Sequence, residues 1–178
     1  MSRILVTGSE GLLGSQLVPH LRRCGHEVVR HSRSGATELR SDLANEKETH
    51  RLLNAVKPEV VVNLAALTDV ERCERSPQQA YLSNVLAVEN VVSWINKTEG
   101  ASYFVQISTD QVYDGPGPHK EANVFLSNVY GFSKYAGELA AGKVPSTILR
   151  TNFFGSSRCM GRTSISDWLV QSLAAGTP

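Results

Sequence analysis

The first fourteen residues constrain the fold more than any other segment. Ile4-Leu5-Val6 is a short apolar run that breaks at Thr7 into Gly8-Ser9-Glu10-Gly11-Leu12-Leu13-Gly14. Leu13, Leu17 and Leu21 then recur at helical spacing, and Gly25 stops that stretch with the residue type best suited to a helix C-terminus. Pro19 removes one backbone donor and invites a kink, but the leucine spacing continues through it. A strand turning through glycines into a helix makes an anion site. Gly8 allows the tight turn, Gly11 lets a pyrophosphate approach the backbone, and Gly14 is expected to permit close helix–sheet packing. Leu12 and Leu13 open the helix, whose unpaired N–H groups and partial positive charge face the same ligand. The spacing, GxxGxxG, is one residue longer than the GxGxxG of ordinary dehydrogenases.

The rest of the chain repeats that alternation. Strands are expected over 27–31, 60–62, 103–108 and 147–149, with helices over 12–24, 45–56, 77–97, 129–141 and 164–175, and a Gly/Pro-rich loop over 114–119. Near-continuous apolar strands joined through helices predict an α/β fold, a Rossmann-like doubly wound parallel sheet with ligands bound beyond the strands' carboxyl ends. At 178 residues the chain suffices for one domain and not two. A net charge of +1, with both signs interspersed, gives no reason to expect nucleic acid or membrane partners. Cys24, Cys73 and Cys159 form no CxxC pair, so a disulfide framework is not expected and a reducing cytoplasm fits best. Cys73, in the charged run Glu71-Arg72-Cys73-Glu74-Arg75, reads as a plain helix residue rather than a reactive thiol. No signal peptide or membrane span is visible. The five histidines lack metal-ligand spacing and read as solvated side chains, so no metal is expected.

Two segments carry chemistry. At the end of the second strand, Arg30-His31-Ser32-Arg33 holds no carboxylate to bond a ribose 2′-hydroxyl. Arg33 can pair with a 2′-phosphate and Ser32 can bond it, which favours NADP(H) over NAD(H), although a solvated basic loop explains the same residues. Asp42 and Leu43 are placed to touch an adenine, and Ala65, Ala66 and Leu67, after Asn63, let a cofactor pass close to the backbone. Asn84 either reaches the loops behind a nicotinamide or is purely structural. Further on, Tyr130 and Lys134 stand four residues apart, on one face of a helix. A tyrosine with an unperturbed pKa of about 10 exchanges protons poorly near neutrality; a neighbouring ammonium is expected to lower it, so that Tyr130 donates a proton to a carbonyl as hydride arrives. Thr109, at a strand end, can hold that carbonyl or simply cap the strand, and Ser108 can support the site or the cofactor.

GSEGLLG, Asp42-Leu43, NLAALTDVERCE, STDQVYDG and NVYGFSKYAGE together resemble the extended short-chain dehydrogenase/reductase family, and within it the dTDP-4-dehydrorhamnose reductases and related sugar-nucleotide enzymes. The resemblance implies Thr109, Tyr130 and Lys134 as the catalytic triad, with Lys134 also bonding the nicotinamide ribose. It implies Thr109, Asp110, Gln111 and Asn152 on the substrate side. Gln111 stands where 4,6-dehydratases carry a glutamate base, which disfavours elimination, and where the reductases typically carry an aromatic residue. Family members continue into a smaller C-terminal region that closes over the nucleotide-sugar. That region is expected to begin near residue 152 and to be largely missing. The expected activity is NADP-dependent reduction of a nucleotide-linked 4-keto sugar for polysaccharide synthesis, in a protein compatible with a homodimer. The alternatives are an NAD-dependent sugar-nucleotide epimerase and a non-catalytic subunit similar to the regulatory subunit of methionine adenosyltransferase.

Overall fold

Successive residues of the first strand enter different cores, and the architecture follows from that alternation. In the computed structural model, which describes residues 1–34, 37–98, 102–159, 161 and 163–176, β1 spans Arg3–Thr7. Its Leu5 points to one face, against Val61, Leu53, Val91, Ile95 and Phe104. Ile4 and Val6 point to the other, against Val18, Val28 and Val62. A strand buried on both faces belongs inside a parallel sheet. The remaining strands are β2 (Glu27–Ser32), β3 (Leu39–Arg40), β4 (Val60–Asn63), β5 (Tyr103–Thr109) and β6 (Ser146–Thr151). All pairings are parallel, in the order β3-β2-β1-β4-β5-β6. The order reverses between β1 and β4, which opens a crevice above their carboxyl ends, as in the doubly wound dinucleotide-binding fold.

The helices are α1 (Leu12–Arg23), α2 (Glu46–Val56), α3 (Val70–Arg75), α4 (Pro77–Tyr81), α5 (Ala87–Lys97), α6 (Val129–Ala141) and α7 (Ile165–Ala175). The first-core cluster is built from α2, α5 and α6, and the second from α1. Side-chain caps set several starts: the Asn45 carboxamide accepts from the N–H groups of Lys47 (3.1 Å) and Glu48 (3.3 Å), and that of Asn128 from Gly131 (2.7 Å). Capping at Asn128 fixes where α6 begins and therefore which residues its inner face presents. α1 runs through Pro19, as the leucine spacing requires; Pro19 lies on its exposed side.

The stretch expected as one helix over 77–97 is helical throughout but contains a π-helical turn at Leu82–Leu86 between α4 and α5. There α6 packs backbone to backbone: a Cβ on Gly137 would collide with the Asn84 carbonyl oxygen. The helix expected over 164–175 forms, with Ser164 and Asp167 in a reciprocal capping box. None of its residues is buried, so its apolar side chains, Trp168 and Leu173 among them, stay exposed among the described residues. α3, β3 and a single 3₁₀ turn at Asp110–Val112 were not apparent in the periodicity, because each is too short to show a period. Among the described residues no helix is long and apolar enough to cross a membrane.

Replacing Gly137 by alanine should destabilise the protein by roughly 1–3 kcal/mol, since the methyl group must displace backbone. Gly142→Ala, whose Cβ would sit 3.6 Å from the Glu138 carbonyl oxygen, should cost little. Urea unfolding of both variants checks this; equal midpoints would refute the tight contact.

Candidate active site

The glycine turn is shaped by its neighbours as much as by its own bend. Gly8 has φ +63°, and a Cβ there would lie 2.8 Å from the Ala65 nitrogen, so the loop after β4 presses directly on it. A Cβ on Gly14 would meet the Ser9 carbonyl oxygen at 2.5 Å. The expectation that Gly14 serves helix–sheet packing is therefore corrected: it lets α1 close on the turn's own backbone. Ser9 ties the turn to β2, its N–H and hydroxyl both donating to the His31 carbonyl at 3.2 and 3.1 Å. Gly11 occupies the N-cap of α1 without a side-chain cap. The N–H groups of Leu12, Leu13 and Gly14 consequently have no helical acceptor, the donor set that an anion requires.

Beside this turn lies a cleft of about 550 Å³. Of the residues expected to hold a cofactor, Gly8, Gly11, Ser32, Arg33, Asp42, Leu43, Ala65, Ala66 and Leu67 all line it. The turn, the end of β2 and the loop after β4 thus line one cavity at the carboxyl ends of β1, β2 and β4, where the doubly wound fold binds ligands. Arg30 turns instead to Glu38, at 2.8 Å, while Arg33, at the end of β2, lines the cleft together with Arg72. The Leu12 and Leu13 side chains line a second hollow of about 330 Å³, with Phe153 and Phe154. His31 corrects the expectation of solvated histidines. It is 2% exposed, its Nε2 lies 3.2 Å from the Ser41 carbonyl, and burial lowers its pKa.

Asn84 reaches the loop after β4, which lines the cleft. Its Oδ1 accepts from the Leu67 N–H (2.8 Å), while its Nδ2 donates to the Leu67 carbonyl (3.0 Å) and the Ser133 hydroxyl (2.9 Å). Three bonds thus pin the loop after β4 to α6. Cys73 is buried against Ala80 and Tyr130, and burial first of all raises its pKa, as suits an inert thiol.

The catalytic candidates converge above β5. Tyr130 and Lys134 lie on the buried face of α6, 7% and 4% exposed, and Thr109 ends β5 at 5%. The Thr109 hydroxyl accepts from the Gln111 N–H (3.1 Å), the capping role left open by the sequence, and donates to Asp110 (3.3 Å). The Asp110 carboxylate also accepts from the Asn152 amide (3.1 Å), so these two exposed residues meet, with Gln111 exposed beside them. The expected lowering of Tyr130 by Lys134 is not found. Its pKa is raised, first by burial, while the Thr109 hydroxyl opposes the rise. The Lys134 ammonium donates instead to the Ile107 carbonyl (2.6 Å). Its own pKa falls to about 8, because burial outweighs the support of the Glu138 carboxylate.

Glu138 and Arg150 were missed by the sequence reading. Glu138 is 3% exposed, and Arg150 grips both of its carboxylate oxygens, at 2.6 and 3.0 Å. The Ser108 hydroxyl donates to the same carboxylate, so Ser108 supports the site from below. Arg150 also donates to the Tyr113 hydroxyl (2.6 Å) and the Glu121 carbonyl (2.7 Å). The available signal was spacing: Tyr130, Lys134 and Glu138 recur every four residues along one helix face. Among the described residues no cluster suits a metal ion.

A doubly wound parallel sheet, a glycine turn at its switch point and a Thr–Tyr–Lys group above β5 define a Rossmann-type domain of the extended short-chain dehydrogenase/reductase class. More specifically, the chain belongs to the family described as the RmlD substrate binding domain, whose model matches residues 1–159. The spore coat polysaccharide biosynthesis protein SpsK of Bacillus subtilis is 32% identical over 158 residues, covering 86% of this chain and 53% of SpsK. A dTDP-4-dehydrorhamnose reductase of Salmonella typhimurium is 34% identical over 140 residues, 77% of this chain and 46% of that protein. Among solved structures, dTDP-4-dehydrorhamnose reductase of Bacillus anthracis in complex with NADP superposes with a TM-score of 0.76 at 27% identity, over 88% of this chain and 56% of that one. The chain spans about half the length of the curated relatives it matches.

The depressed Lys134 pKa makes a signed prediction. Below about pH 8 folded and unfolded chains both hold the proton; between about 8 and 10.5 only the unfolded chain does, so stability from this group rises with pH. The stability difference between wild type and Lys134→Met should therefore grow in favour of wild type across that window in urea titrations. A flat difference would show that Lys134 is not buried as a charge.

Proposed function

We propose that the chain binds NADP(H) in the cleft beside Gly8, and that the protein it belongs to reduces a 4-keto group on a nucleotide-linked sugar, in polysaccharide precursor synthesis. The observation that carries this reading is the convergence of Thr109, Tyr130 and Lys134 above β5, on the same carboxyl edge of the sheet as a dinucleotide-sized cleft. The similarity to dTDP-4-dehydrorhamnose reductases, one of them solved with NADP, supports it.

The roles follow from the chain's own groups. The N–H groups opening α1 bind the pyrophosphate, Arg33 and Ser32 the 2′-phosphate, and Asp42 and Leu43 border the adenine. The bound cofactor supplies a hydride to the keto carbon. Tyr130 gives its phenolic proton to the carbonyl oxygen, and Thr109 holds that oxygen in place. A phenol raised by burial is the correct resting form for that step, since reduction consumes a proton. Lys134 follows one helical turn later on the same buried face, where its ammonium would bond the ribose of a bound cofactor and favour the phenolate left after proton transfer. Asp110, Gln111 and Asn152 form the sugar side, with the substrate-binding region beginning near residue 152. The cytoplasm is the compartment this reading implies, and Cys24 and Cys73 are free thiols.

Fluorescence titration of the chain should show saturable binding of NADPH in preference to NADH, and Arg33→Ala should remove most of that preference. Equal affinities in wild type would discard the 2′-phosphate assignment. In the full-length protein, Tyr130→Phe should abolish reduction of a dTDP-4-keto-6-deoxy sugar while NADPH affinity stays within about twofold. Undiminished turnover would end the proton-donor role.

A further inference from the structure

A line of buried amides crosses the sheet beneath the site. The Thr7 hydroxyl donates to the Asn63 side-chain oxygen at 2.5 Å, and the Asn63 amide donates to the Gln106 side-chain oxygen at 2.8 Å. The Gln106 amide then donates to the Ile107 carbonyl at 3.2 Å. That carbonyl is the one that receives the Lys134 ammonium. Gln106 is 1% exposed and Asn63 2%, and they lie among strand residues such as Leu5, Val61, Val62 and Phe104 that build the apolar cores. Two primary amides in such a core cost stability unless every group is bonded, and a pair of aliphatic side chains would fill the same space.

We propose that Gln106 is a positioning residue for Lys134: its amide fixes the Ile107 carbonyl that receives the ammonium and joins it, through Asn63 and Thr7, to the base of the glycine turn. The inference rests on the reading of Lys134 as part of the catalytic group. A carbonyl oxygen has two lone pairs. Here Gln106 takes one and Lys134 the other, so the ammonium is confined to a single direction rather than free to slide around the oxygen. Because β4 ends at Asn63, opposite Gln106, while β5 runs on to Thr109, the amide stands at the last position of β5 paired with β4. The same chain of bonds starts one residue before Gly8. The placement of the ammonium and the placement of the phosphate turn therefore share one hydrogen-bonded frame.

The test pairs an ionisation measurement with kinetics. In the 178-residue chain, ¹⁵N-lysine spectroscopy follows the Lys134 ammonium with pH in wild type, Gln106→Leu and Gln106→Glu. The other charged or titrating groups packed nearby, Tyr130, Glu138, Arg150 and Cys73, are left intact. Gln106→Leu should lower the Lys134 midpoint by half a unit or more, since apolar surface replaces a polar neighbour, and Gln106→Glu should raise it. In the full-length protein, Gln106→Leu should lower kcat at least tenfold with the KM for NADPH changed less than twofold. The double variant Asn63→Leu/Gln106→Leu should recover thermal stability but not kcat. Unmoved titrations in both single variants, or recovery of kcat together with stability in the double variant, would overturn the proposal and leave Gln106 a packing residue. If wild type reduces no keto sugar, the functional reading fails, while the titration still judges the link from Gln106 to Lys134.

Discussion

The seat of α6 on the sheet depends on one buried ion pair. The helix packs largely through small residues: Gly131 lies against the Gln111 carbonyl, Gly137 against that of Asn84, and Ala140 and Ala141 face the core. Such residues allow close approach but bury little apolar area, so they contribute little hydrophobic energy. Glu138 and Arg150 supply the specific fastening, with the planar guanidinium matched to both carboxylate oxygens. Removing one partner of a buried pair leaves an uncompensated charge, typically a loss of about 3–5 kcal/mol. Arg150 also reaches the Tyr113 hydroxyl and the Glu121 carbonyl, so one side chain locks β6, α6 and the loop following β5 into a single arrangement. Tyr130 and Lys134 inherit their positions from it.

Burial within this arrangement moves the two titrating groups in opposite directions, and both toward neutrality. The phenol is raised and the ammonium lowered, because a low-dielectric setting penalises whichever form carries charge. The site at rest therefore holds a protonated tyrosine ready to give its proton, beside a lysine poised near its own midpoint at slightly alkaline pH. Negative charge on the oxygen of Tyr130 after proton transfer would draw the lysine back to its charged form.

The sheet was legible because its strands are apolar on both faces and its helices are separated by recognisable stops. β1, β2, β4, β5 and β6 were each placed within two residues at either end, and α6 at the residue. The glycine turn and the four-residue step from Tyr130 to Lys134 were legible for a related reason, since backbone sterics and helix geometry act locally. What stayed hidden was non-local. Nothing near Glu138 announces a partner twelve residues ahead on β6, and nothing near Asn84 points to the Leu67 loop. The burial of His31 and the rise of the Tyr130 pKa likewise depend on what folds over them. Short-range pattern gave positions, and long-range packing decided protonation and contact.

The π-helical turn at Leu82–Leu86 sets the register of the residues around it. A π turn holds one residue more than the α geometry it interrupts, so the helix carries one extra residue between α4 and α5. Deleting any one residue there would restore an unbroken helix and rotate everything before it by roughly 100° relative to α5. The Asn84 amide would leave Leu67, and the loop that forms one wall of the nucleotide cleft would lose its anchor. The reading frame of this helix is thus fixed by the cleft it serves, and its length is under tighter constraint than its composition.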